Sequence, residues 1–93
     1  MGLMQKTWTL SFTPEAQKAF KKLDSSLQKE IFRFFYTKVL KAEDPFVYAK
    51  PLRQNLSSFY RYRIGSYRVI CNLDRNKLVI TVFKTGHRRD VYD

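Results

Sequence analysis

At 93 residues the chain holds one domain with one modest core, and its 44% apolar and 16% aromatic content excludes a disordered polyelectrolyte. A formal net charge of +10 points to a polyanionic partner: nucleic acid, an acidic membrane surface or an acidic protein. The single cysteine, Cys71, excludes an internal disulfide and a cysteine-rich zinc site, and no apolar run has the length of a membrane span.

Residues Lys6 to Phe12 alternate, with Trp8, Leu10 and Phe12 on one face, which predicts a first strand. Thr13-Pro14-Glu15 reads as an N-cap, a proline at the first helical position and an acid in the first turn. A helix should run from there to about Leu23 on Ala16, Ala19, Phe20 and Leu23. Ser25 should open a second helix, with Gln28 completing a capping box. Leu27, Ile31, Phe34, Phe35 and Val39 form its apolar stripe, and Asp44-Pro45 limits its end to near Lys41. Arg33, Lys38 and Lys41 read as a solvated helix face. Residues 43–58 carry Pro45 and Pro51 with no periodicity and predict an irregular segment.

Three strands are then predicted, Phe59–Ile64, Tyr67–Leu73 and Leu78–Thr85. Gly65-Ser66 is a two-residue hairpin loop, and Asp74-Arg-Asn-Lys77 turns the chain between the last two strands. The whole, residues 1–93, is an α+β domain: a strand, a helical hairpin and an antiparallel three-stranded meander. The hairpin register pairs Ile64 with Tyr67 and Arg63 with Arg68. It assigns Tyr60, Tyr62, Ile64, Tyr67, Val69, Cys71, Leu73, Leu78, Ile80 and Val82 to the helix face. Arg61, Arg63, Arg68, Asn72, Thr81, Phe83 and Thr85 fall on the other face. Like charges directly opposite in a sheet are destabilising, so gathered guanidinium groups imply an anion that they hold. Phe59, Ile70, Val79 and Phe83 lie among them, and cations beside aromatics suit single-stranded nucleic acid. Lys50 and Arg53, just before the hairpin, are further candidates for RNA contact, as is Arg89.

The chain resembles the RelE/ParE superfamily of toxin–antitoxin toxins over almost its whole length. The resemblance rests on Phe12-Thr-Pro-Glu-Ala-Gln-Lys-Ala-Phe-Lys-Lys-Leu23, on Lys50-Pro-Leu52, and on Tyr60-Arg-Tyr-Arg-Ile-Gly-Ser-Tyr-Arg-Val-Ile70. It closes on Gly86-His-Arg-Arg-Asp-Val-Tyr92. The last two segments favour the RelE branch over the gyrase-poisoning ParE branch. Membership of that branch implies a ribosome-dependent endoribonuclease that cuts mRNA in the ribosomal A site. The family's basic residues on the first hairpin strand match Arg61 and Arg63, although the best-known members carry lysines there. The family's later arginines match Arg68 and Arg88, and its terminal tyrosine matches Tyr92. In related toxins a C-terminal histidine takes part in proton transfer, a role that His87 would fill.

RNA cleavage by the 2′-hydroxyl needs a base, charge stabilisation of the phosphorane and an acid for the departing 5′-oxygen. None of the eight acids falls within the predicted strands, which favours a route without metal or other cofactor. Arginine stays protonated, so Arg61, Arg63, Arg68 and Arg88 are expected to grip phosphate and stabilise charge. Proton transfer then falls to His87 and Tyr92, in an order that the residues leave open. An alternative role for Tyr92 is to anchor the tail onto the core.

The implied partners are the ribosome with its mRNA, and a cognate antitoxin that wraps the helical pair and the sheet edges in a hetero-oligomer. The start, Met1 to Lys6, shows no secretion segment, and with no membrane span the expected compartment is the cytoplasm. Two other readings stay open: a ParE-like toxin that inhibits a topoisomerase, and a homologue that binds RNA without cutting it.

Overall fold

Alternation brings Trp8, Leu10 and Phe12 onto one side of the first strand, β1 (Thr9–Phe12), and proline stops the strand where the helix begins. In the computed structural model, which describes residues 7–52 and 59–87, the hydroxyl of Thr13 accepts from the Ala16 N–H at 3.1 Å and starts α1 (Pro14–Lys21). This helix ends slightly before the expected Leu23, and its last carbonyls find a partner outside it. The side-chain amide of Gln28 donates to the carbonyls of Phe20 at 3.0 Å, Lys21 at 3.3 Å and Leu23 at 2.9 Å. Gln28 therefore closes the end of α1 instead of forming the expected capping box. Asp24, not Ser25, is the N-cap of α2 (Ser25–Phe34); its carboxylate accepts from the Ser26 hydroxyl at 3.3 Å and not from a helix amide.

The α2 helix continues as a wider π-turn, Phe35–Val39, in which the Leu40 N–H donates to the Phe35 carbonyl at 2.8 Å. Four bulky or β-branched residues in a row, Phe34 to Thr37, fit an α-turn poorly. The Thr37 hydroxyl also donates to the Arg33 carbonyl at 2.6 Å and competes for that acceptor. The wider turn keeps residues four apart nearly in line, so Phe35 and Val39 stay in the core with Ile31.

The segment expected to be irregular holds two elements. A 3₁₀ turn spans Pro45–Tyr48, capped by the Asp44 carboxylate, and a short strand, β2 (Ala49–Pro51), follows. Lone proline-bounded strands carry little periodicity, and this one forms because β3 (Phe59–Ile64) offers it an edge. The order across the five-stranded sheet is β1-β5-β4-β3-β2. Strand β4 (Tyr67–Asp74) pairs antiparallel with β3 and with β5 (Val79–His87), whereas β1 joins β5 in parallel.

Gly65 has φ 59, and a positive φ at the first loop position alone is the pattern of a II′ hairpin. Asp74, expected in the turn, is the last residue of β4. Its carboxylate accepts from the amides of Asn76 at 2.9 Å and Lys77 at 3.0 Å. Phe20, Ile31, Phe35 and Val39 pack on Tyr62, Val69, Cys71, Ile80 and Val82. Each of these large side chains contributes about 1.5–3 kcal/mol by leaving water. Tyr62 is fully buried and donates its hydroxyl to the Pro45 carbonyl at 2.9 Å, tying the 3₁₀ turn to the sheet. With the helices on one face, the other face of the sheet is left for function.

Candidate nucleic-acid interface

The observed hairpin register places Arg63 opposite Arg68 and Ile64 opposite Tyr67, as expected. On the helix-free face the register assembles side chains into cross-strand rows. One row runs Lys50 on β2, Arg61 on β3, Ile70 on β4 and Lys84 on β5. The next holds Arg63, Arg68 and Gly86. On the other side lie Phe59, Asn72 and Thr81, with the ring of Phe83 edge-on to Phe59 at 4.9 Å.

Lys84 joins this face, where simple alternation does not put it, and Thr85, which alternation puts there, leaves it. The cause is a shift between Ile70 and Cys71 in the β4–β5 ladder, where Phe83 is the extra residue on β5. Such a bulge reverses the alternation of everything that follows it. It brings Lys84 opposite Ile70 on the cationic face and turns Thr85 toward Val69 on the helix side. The Thr85 hydroxyl is buried there with no hydrogen-bond partner among the described residues. Sequence alternation alone had no means to register the extra residue.

Arg61 is only 7% exposed although it lies on the open face, flanked by Lys50 and Ile70. Its burial, and then the charges of Arg68 and Arg63, press its pKa below the ordinary arginine value. The Arg61 guanidinium thus feels the charges of Arg68 and Arg63. An anion placed among them relieves that repulsion. Their planar forks can grip phosphate oxygens bidentately, which lysine cannot do.

The same bulge decides the place of His87. It stands opposite Tyr67 on the Ile64 side of the sheet, with the two rings 5.9 Å apart and nearly perpendicular. The described geometry therefore does not bring His87 together with Arg61, Arg63 and Arg68 on one face. Arg53, Arg88, Arg89 and Tyr92 lie outside the described residues. Cys71 is buried and its thiol pKa is pushed up by burial, so it is packing, not a nucleophile. Among the described residues no group of three His, Cys, Asp or Glu side chains could hold a metal ion, and no helix is long and apolar enough to cross a membrane.

Comparison with known proteins agrees with this architecture. The family described as the ParE toxin of type II toxin–antitoxin systems matches residues 10–92. The toxin RelG of Mycobacterium tuberculosis is 26% identical over 85 residues, covering 91% of this chain and 95% of that protein. In the toxin–antitoxin complex RelBE2 of the same organism, a chain superimposes with a TM-score of 0.78 at 24% identity, covering 89% of this chain and all of that one. A chain of the archaeal RelE–RelB complex of Pyrococcus horikoshii gives 0.69 at 21% identity, covering 92% of this chain and 100% of its own. The RelBE complex of Escherichia coli gives 0.68 at 21% identity, over 86% of this chain and 95% of that one. The chain belongs to the ParE toxin family of type II toxin–antitoxin systems, within the RelE/ParE superfamily.

Proposed function

We propose that this toxin is a metal-independent, ribosome-dependent mRNA endoribonuclease that inhibits translation in the cytoplasm. The observation that carries the reading is the open sheet face on which Arg61, Arg63 and Arg68 repel one another beside Lys50 and Lys84. A face assembled against its own charge is suited to an anion with several phosphates. Phe59 and Phe83 give the unpaired bases an apolar surface to lie on.

In the reaction the 2′-hydroxyl loses its proton to a base, and its oxygen bonds to phosphorus. The bond from phosphorus to the 5′-oxygen breaks, and that oxygen takes a proton from an acid. Arg61, Arg63, Arg68 and Arg88 hold the phosphate and stabilise the charge of the phosphorane. Tyr92 and His87 divide the proton transfers. Because His87 pairs across the strand with Tyr67, Tyr92 is the stronger candidate for direct work. Lys50, Arg53 and Arg89 bind RNA without touching the reacting phosphate.

The partner that restrains the toxin is a cognate antitoxin, as in the complexes that share its fold. An apolar groove of about 390 Å³ between α1, α2 and β1 suits it, with Phe32 and Tyr36 37% and 50% exposed at its rim. Primer-extension mapping of mRNA in a translation extract tests the proposal, comparing the wild type with Arg68→Ala and Tyr92→Phe, with and without ribosomes. Cuts that need ribosomes and disappear in both variants are expected. Intact mRNA with ongoing translation would sink the nuclease reading. Because the matching family is described by ParE, inhibition of DNA supercoiling is the second reading, and a gyrase assay on the same preparation decides it.

A further inference from the structure

We propose that the toxin carries a second phosphate-binding groove, around the sheet edge from the arginine face, which takes the backbone of single-stranded RNA leaving that face. The inference rests on the RNA-binding reading above but not on cleavage. Glu30, Arg33, Thr37, Lys38, Arg63 and Gly65 line a groove of about 310 Å³ between α2 with its π-turn and the tip of the β3–β4 hairpin. The sequence alone reads both helix cations as part of a solvated face.

Arg63 links the two regions. It stands opposite Arg68 on the cationic face, yet β2 pairs only with Tyr60, Arg61 and Tyr62. Among the described residues no strand covers the edge of β3 at Arg63, which is exposed and also lines the groove. A chain of phosphates held at Arg61 and Arg68 can therefore turn over this edge without losing cationic contact. Beyond it, the Lys38 ammonium lies 5.8 Å from the centre of the Phe34 ring. A cation held over an aromatic face keeps a defined position. Arg33 is tied to the π-turn through its own carbonyl, which accepts from Thr37.

Glu30 is the opposing charge. Its carboxylate lies over the hairpin turn, so close that a β-carbon at Gly65 would meet Oε2 at 3.4 Å. With Arg33, Lys38 and Arg63 against one carboxylate, the groove is positive when empty. An anionic chain is the occupant that its charge selects. Glu30 limits the affinity, and its neutralisation should tighten binding.

The test uses the full chain, without antitoxin, and a labelled single-stranded 2′-O-methyl RNA. Such RNA keeps the phosphates and lacks the free nucleophile, so binding is measured without cutting. Fluorescence anisotropy gives affinity between 50 and 200 mM salt for the wild type, Arg33→Gln/Lys38→Gln, Glu30→Gln and Arg61→Gln/Arg68→Gln. Each lost phosphate contact on a single strand lowers the slope of log K against log salt by about 0.7, so the helix double variant should lose about 1.4. Over that salt range its affinity then falls about sevenfold less than the wild type's. Glu30→Gln should bind more tightly at 50 mM salt. A helix double variant with the wild-type slope overturns the groove, and so does a loss seen only with a double-stranded hairpin RNA. If Arg61→Gln/Arg68→Gln alone lowers the slope, the groove is wrong and the arginine face stands. If no variant lowers it, both are wrong. A lowered slope in the helix variant with no mRNA cleavage in extract keeps the groove and removes only the nuclease reading.

Discussion

Arg63 and Arg68 are directly opposed on adjacent strands, and this pair should cost the fold stability. A like-charge cross-strand pair is worth about 0.2–1 kcal/mol of destabilisation. Because a domain of this size shifts its melting temperature by about 4–8 °C per kcal/mol, a mid-range pair of about 0.5 kcal/mol corresponds to about 2–4 °C. Single replacements mix this term with lost packing and, for Arg63, with the nearby Glu30. A double-mutant cycle of Arg63→Gln and Arg68→Gln isolates it. Replacing Arg63 should stabilise the wild type more than it stabilises the Arg68→Gln background. The difference should be large at 50 mM salt and nearly vanish at 1 M, where the screening length is about 3 Å. Thermal melts of the four proteins at both salts suffice. A coupling of zero, or of the opposite sign, at low salt refutes the claim that this face is held together against its own charge. If the toxin cuts RNA as proposed, the same substitutions should remove that activity, so that stability and activity move in opposite directions.

Tyr62→Phe leaves the buried Pro45 carbonyl without its donor and should cost about 1–3 kcal/mol in urea unfolding, because the site cannot admit water easily. Gln28→Ala removes the amide that closes the end of α1 and should cost about 1 kcal/mol, where a true capping-box residue would instead change the start of α2; amide exchange at the two helix ends tells these apart. Burial holds the Cys71 thiol above its ordinary 9.0, and chiefly burial holds the Tyr62 phenol above 10.0. Both keep their protons in the folded protein while the unfolded chain releases them. Stability should therefore be unaffected by these groups below pH 9 and decline above it. The decline is about 1.4 kcal/mol per pH unit from Cys71, steepening above pH 10 as Tyr62 joins. In Cys71→Ala the first part of this slope should be missing from urea titrations between pH 9 and 10, and an unchanged slope there contradicts the assignment.

The hairpin was legible in the chain because its physics is local. Gly65 supplies the positive φ, alternation assigns faces on either side, and the register of Arg63 with Arg68 follows from loop length alone. The Thr13 cap and the stripe of Ile31, Phe35 and Val39 were equally local. What needed tertiary structure was whatever depends on a distant partner. β2 exists because β3 presents an edge, and Gln28 serves α1 because the helical hairpin folds it back over open carbonyls. The bulge at Phe83 is a property of the β4–β5 ladder, invisible to alternation within β5. It alone turned Lys84 toward the arginines and His87 away from them. The sequence by itself determined the family, the core and the arginine face. The pairing of strands decided which of the remaining charged groups share that face, since one unpaired residue reverses every side chain beyond it.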